Sequence, residues 1–203
     1  MTRRRSVLVL ADIDRPLPST DRPTLSRVVA TADAVADDVV VACPADRRAA
    51  VERRLADADS VGTDDYRLAV DPVSGDGPVA AIRTGVRVAS GATVAVVAGD
   101  ARVDAALLGR LFDACGAGVS TSAPATVVPV AEGRLYPLHA VYDAAAVRTA
   151  CDRTLASGSG RLHDVLARLD ATLVAAEIPS VQGSDPDTRA RATVAPPADH
   201  VGT

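Results

Sequence analysis

Asp100 follows Gly99 at the end of Thr93-Val94-Ala95-Val96-Val97-Ala98, an unbroken apolar run rich in β-branched residues. Such a run is too short for an ordinary helix and fits a strand buried on both faces of a parallel sheet. Beyond it, Ala105, Leu108, Leu111 and Phe112 recur at helical spacing, with Asp104 placed as the N-cap. Because Asp104 can do the capping, Asp100 has no structural duty in the pattern. An acid at the carboxyl end of a central parallel strand sits where open α/β sheets bind their ligands. A second candidate is the loop Ser74-Gly75-Asp76-Gly77-Pro78, whose backbone N–H groups at a helix start suit a phosphate or a carbonyl-rich base. An ordinary strand-to-helix turn that needs glycine accounts for the same residues. Asp71 also ends a strand pattern, where it either approaches a ligand or forms the turn before Pro72. His139 falls inside the strand-like stretch Tyr136–Asp143, as a packed or pocket side chain, and His163 and His200 have no partners at metal-ligand spacing.

The elements that must position these residues alternate between strand and helix. Ser6–Ala11 reads as the first strand, followed by the Pro-rich loop Asp12–Asp21, which proline keeps out of helix. A helix follows over Thr24–Ala36, a strand over Asp38–Cys43, an Arg-rich helix over Asp46–Asp57 and a strand over Tyr66–Asp71. Pro78 stands at the first position of the next helix, whose Val79, Ile82, Val86 and Ala89 keep core spacing. Thr126–Val130 and Leu135–Tyr142 read as two strands of a hairpin, Asp143–Ser157 and Leu162–Leu169 as helices, and Ala171–Ile178 as a last strand. The expected architecture is a three-layer α/β sandwich with a mostly parallel sheet and an antiparallel hairpin strand. It forms one domain over residues 1–192, with a disordered tail over 193–203.

Composition narrows the function. The chain has 203 residues, 48% of them hydrophobic but only 2% aromatic, so its core is built from Val, Leu, Ala and Ile. A formal net charge of −4 argues against a nucleic-acid binder. All basic side chains are Arg or His, with no Lys at all. Cys43, Cys115 and Cys151 are scattered through apolar runs and read as small buried hydrophobes. With neither a signal peptide nor a run of membrane-spanning length, a cytoplasmic protein is expected.

Three stretches stand in the order Gly77–Val86 (GPVAAIRTGV), Val94–Asp100 (VAVVAGD) and Tyr136–Asp143 (YPLHAVYD). In order and context they resemble the molybdenum cofactor guanylyltransferases, nucleotidyltransferases with a Rossmann-like, glycosyltransferase-A-like fold. The resemblance runs from about Ser6 to Thr188 and implies a chemistry. A molybdopterin phosphate attacks the α-phosphorus of GTP and pyrophosphate leaves, a transfer that rests on positioning and charge neutralisation. It further implies that Asp100 binds Mg²⁺, that Gly75, Gly77 and Pro78 lie against guanine and ribose, and that Ala11 and Asp71 border the nucleotide. Pro137 and His139 then belong to the rest of the pocket, and no side chain is singled out as catalytic.

The chain departs from the family at its first loop. There the family carries two glycines, an Arg-Met-Gly and a Lys, whereas this sequence runs Leu10-Ala11-Asp12-Ile13-Asp14-Arg15-Pro16-Leu17-Pro18. Arg15 and Arg22 are the cations left to hold phosphates. The asparagine-bearing C-terminal motif is replaced by Gln182-Gly183-Ser184-Asp185-Pro186-Asp187-Thr188. Two readings follow: a divergent Mg²⁺-dependent nucleotidyltransferase, or a non-catalytic relative that binds nucleotide, pterin or a partner protein.

Overall fold

The computed structural model describes residues 4–11, 25–56, 62, 65–72, 77–116 and 126–178. Eight strands form one sheet: β1 Arg5–Leu10, β2 Asp38–Pro44, β3 Arg67–Asp71, β4 Thr93–Ala98, β5 Thr126–Ala131, β6 Arg134–Leu135, β7 Val141–Asp143 and β8 Ala171–Ala175. Their order across the sheet is β3-β2-β1-β4-β7-β5-β6, with β8 also paired to β5. Pairings among β1 to β4 are parallel, β5 pairs in parallel with β8, and β7 runs antiparallel to both β4 and β5. The expected mixed α/β sandwich is therefore the one observed.

Alternation along the strands builds two cores. Val7 and Val9 of β1, Val39, Val41 and Cys43 of β2, and Ala95 and Val97 of β4 point to one face. There they meet helices α1 (Leu25–Asp33), α2 (Arg48–Ala56) and α4 (Ala105–Gly116) through Val28, Val29, Val51, Leu55, Leu108 and Phe112. The intervening residues Leu8, Val40, Val94 and Val96 point to the other face. They meet α3 (Gly77–Val88), α5 (Ala144–Ala156) and α6 (Leu162–Leu166). β1, β2 and β4 thus bury both faces, which is why they read as continuous apolar runs instead of alternating ones. All three cysteines are buried thiols outside any disulfide, and burial pushes Cys151 up to about 12, so it packs as a neutral hydrophobe.

Two boundaries differ from the sequence expectation for identifiable reasons. The strand expected over Leu135–Tyr142 is interrupted by a 3₁₀ turn at Pro137–His139, because Pro137 has no N–H to donate to the ladder. His139 therefore sits in a turn, not in mid-strand. The helix expected over Leu162–Leu169 ends at Leu166, where the Arg168 and Leu169 N–H groups bond to Val165 and Leu166, three residues back. The hairpin itself is tight: Glu132 (φ 51°) and Gly133 (φ 70°) make a two-residue turn, and Ala131 pairs with Arg134.

Asp104 caps α4 as expected, accepting from Ala106 N at 2.8 Å. Asp104→Ala should cost about 1 kcal/mol in chemical denaturation, within the range for a lost N-cap, and leave nucleotide affinity unchanged. A neutral result would take the cap away from Asp104 and reopen Asp100 as a structural residue.

Candidate functional site

The parallel register brings the expected site residues to one edge of the sheet. Leu10 lies level with Ala42 on one side and Ala98 on the other, and Pro44 lies level with Asp71. Ala11 extends this edge by donating to Ala42 O at 2.9 Å, and Gly99 N donates to Leu10 O at 2.8 Å. Ala11, Asp71, Asp100 and the start of α3 thus share the carboxyl edge. Asp71 and Asp100 stand three strand spacings apart, about 14 Å.

Gly99 sets how closely Asp100 approaches β1. A Cβ at this position would fall 2.9 Å from both Leu10 O and Leu25 Cδ1, and 3.4 Å from Ala11 Cα. The carbonyl oxygen belongs to a buried strand and cannot retreat, so glycine is required for the turn to lie against the end of β1. Ala101 N closes the turn onto Ala98 O at 3.1 Å. Asp100 is half-buried on this turn, directly before the segment that leads to the Asp104 cap.

At the other end of the edge, Gly77 takes a left-handed φ of +73°, where a side chain would be strained. A Cβ here would meet Gly160 O at 3.4 Å, an ordinary contact, so the backbone conformation and not space is what calls for glycine. Pro78 follows at the start of α3, where a missing N–H costs the helix nothing. The first-turn N–H groups of a twelve-residue helix then face the carboxyl edge with no intrahelical acceptors. Asp71 is buried at the end of β3 beside this helix start. Arg15, Arg22 and Gly75 lie outside the described residues.

Pro137 and His139 lie in the buried 3₁₀ turn on the far side of β4. That turn is bolted in place: Val96 N donates to Ala140 O at 3.0 Å, and the buried Tyr142 hydroxyl donates to Pro137 O at 2.8 Å. Burial holds the His139 pKa below its ordinary value, opposed in part by a hydrogen bond to the Arg102 main chain. His139 is therefore neutral at pH 7, and it ties the turn to the segment just after Asp100. Its Nε2 is buried and has no protein partner. Sequence reasoning missed both this tie and the Gly160 contact at α3. The only signals for them were Pro137 inside a strand pattern and the helix break Gly158-Ser159-Gly160.

Among the described residues no group of three or more His, Cys, Asp or Glu side chains could hold a metal ion unaided, and no helix is long and apolar enough to cross a membrane. A lone carboxylate does not exclude Mg²⁺. That ion keeps several waters and is commonly held by one or two carboxylates together with substrate phosphates, so Asp100 fits such a role.

Comparison with known proteins identifies the family and the fold. Residues 16–179 match the MobA-like NTP transferase domain. A probable molybdenum cofactor guanylyltransferase of Haloferax mediterranei is 30% identical over 158 residues, covering 77% of this chain and 70% of that protein. Its counterpart in Natronomonas pharaonis is 32% identical over 153 residues, covering 75% and 70%. Among solved structures, the molybdopterin-guanine dinucleotide biosynthesis protein A of Archaeoglobus fulgidus superposes with a TM-score of 0.59 at 17% identity, over 84% of this chain and 83% of that one. A Mycobacterium tuberculosis protein solved with manganese superposes with a TM-score of 0.58 at 19% identity, over 87% and 89%. The two structures share the fold, while the domain match and the two sequence relatives go further: the chain belongs to the MobA-like NTP transferase domain family and is a nucleotidyltransferase of that type.

Proposed function

We propose that the protein transfers GMP from GTP to the phosphate of a molybdopterin-type acceptor, releasing pyrophosphate. The observation that carries this reading is the placement of Asp100 on the same sheet edge as the Gly77–Pro78 start of α3, within a chain whose relatives bear that activity in their names. The first turn of α3 receives the base and ribose. Gly99 fixes the Asp100 carboxylate beside β1, and the buried turn at Pro137–His139 shapes the wall beyond it. Asp100 would hold Mg²⁺, which when bound supplies the positive charge that the phosphates need as pyrophosphate departs. The acceptor phosphate oxygen forms the new bond to the α-phosphorus as the bond to pyrophosphate breaks. Incubating the protein with Mg²⁺, labelled GTP and molybdopterin tests this directly. Dinucleotide formation from GTP, and not from CTP, is the expected result.

A second reading, binding without transfer, has one specific observation in its favour. After β1 the sequence carries Asp12 and Asp14 in the stretch where the family carries glycines and a lysine. Release of no dinucleotide, with guanine nucleotides still bound, would establish it.

The same loop predicts how affinity depends on phosphate number. Asp12 and Asp14 repel a triphosphate more strongly as the local dielectric falls, and Arg15 cancels only part of that. Guanosine, GMP, GDP and GTP should therefore stabilise the protein to similar extents in thermal melts, since ligand stabilisation follows RT ln(1 + [L]/Kd). A steep gain from guanosine to GTP in Mg²⁺, lost on Arg15→Ala or Arg22→Ala, would show instead that the arginines hold the phosphates.

A further inference from the structure

The whole chain contains four aromatic rings: Tyr66, Phe112, Tyr136 and Tyr142. Phe112 and Tyr142 are buried in the two cores, and Tyr66 stands just before β3, at the amino edge, packed against the first core. Tyr136 is the one ring at the carboxyl edge, half-buried between β6 and the turn at Pro137–His139, and it packs into neither core. Its position is nonetheless fixed. Tyr136 N donates to Pro129 O at 3.0 Å, His139 N donates to Tyr136 O at 3.0 Å, and Pro137 stiffens the next residue. The ring meets His139 in a T-shaped contact, with centroids 6.2 Å apart and planes at 82°. Such a contact leaves at least one face of the Tyr136 ring uncovered by His139.

A half-exposed ring on a rigid turn, outside the core, is an expensive use of an aromatic in a chain that has so few. Its place relative to Asp100 narrows the purpose. The nucleotide end of the edge lies at Asp71 and α3, whereas Tyr136 lies beyond β4 on the other side, about four strand spacings from Asp71, or roughly 19 Å. A base seated at α3 does not reach it. We infer that Tyr136 is the stacking platform for the flat heterocycle of the acceptor, a pterin-class ring, across Asp100 from the nucleotide. The inference rests on the transferase reading for the identity of that acceptor.

The test titrates 6-hydroxymethylpterin with the full-length protein and follows the pterin's own fluorescence. Tyr136→Phe keeps a π-face and should bind within about twofold of the parent. Tyr136→Leu removes it and should weaken binding roughly tenfold, within the range seen when a stacking aromatic is truncated. GTP stabilisation should be the same in all three proteins, and competition by glycerol 3-phosphate, which has no ring, should not change. Three results would overturn the platform: no pterin binding by the parent, equal pterin binding by Tyr136→Leu, or equal loss of pterin and GTP binding in that variant. Failure of the transferase reading looks different: no dinucleotide forms from GTP and molybdopterin, while pterin affinity still depends on Tyr136.

Discussion

Asp100→Asn should yield a folded protein that binds guanosine normally and has lost metal-dependent transfer. The substitution keeps the size and one oxygen of the side chain but removes the charge a hard cation requires. Metal stabilisation of charge on transferring phosphates is worth several kcal/mol, so the rate should fall by at least roughly a hundredfold. The helix cap should survive, because α4 is capped by Asp104 through Ala106 N. Two measurements decide it: Mn²⁺ titration in the presence of GTP, and a thermal melt without ligand. A large fall in melting temperature for Asp100→Asn beside a neutral Asp104→Ala would show that the two acids have exchanged roles. Gly99→Ala is the companion experiment. Its Cβ would sit 2.9 Å from Leu10 O, so the turn must shift, and transfer should drop although the Asp100 carboxylate is still present.

The edge that carries Asp100 was legible in the sequence because parallel strands present their carboxyl ends together. Once Ser6–Ala11, Tyr66–Asp71 and Thr93–Ala98 read as strands linked by helices, Ala11, Asp71, Gly77 and Asp100 had to share a side. Asp104 was legible for a local reason, since a cap and its helix are neighbours in sequence. Contacts made by register were not legible. His139 reaches Arg102 only because Thr93 pairs with Asp143 and Ala95 with Val141, and neither the residues nor their spacing encode that offset. The break at Pro137 was available in principle, because a proline inside a strand pattern signals an interruption. The apolar Leu-x-Ala-Val-Tyr around it outweighed that signal. Arg15, Arg22 and Gly75 lie outside the described residues, so the phosphate end of the site rests on sequence and family.

At the amino edge, a cluster equally hidden in the sequence should dominate the protein's acid sensitivity. Asp38, at the start of β2, has a side chain only 7% exposed. Its Oδ1 accepts from Arg67 Nε at 3.0 Å and Nη2 at 2.6 Å. Its Oδ2 accepts from Ser6 Oγ at 2.7 Å, Ser90 N at 2.9 Å and Ser90 Oγ at 3.0 Å. These donors come from β1, β3 and the segment before β4, so one carboxylate fastens the amino ends of four adjacent strands. Ser6 Oγ passes the network on by accepting from Gly91 N at 2.8 Å. Burial alone would raise the Asp38 pKa, but the bonds from Ser90 N, Arg67, Ser6 and Ser90 Oγ outweigh it and hold the group at about 2. A folded pKa below the unfolded value of 3.8 gives stability that is complete above about pH 4 and is lost as pH falls through 2. The contribution is at most about 2 kcal/mol, since the Arg67 guanidinium is 48% exposed and screened by water. Asp38→Asn should be nearly as harmful as Asp38→Ala, because its amide NH₂ must face either Arg67 or the serine donors. Both should cost about 2–3 kcal/mol at pH 7, a fall in melting temperature of roughly 5–10 °C for a chain of this size. The gap between parent and variant should narrow below about pH 4, by up to about 2 kcal/mol as the pH falls through 2. A gap that stays constant from pH 7 to pH 2 would mean that the carboxylate's charge is not what holds these strands together.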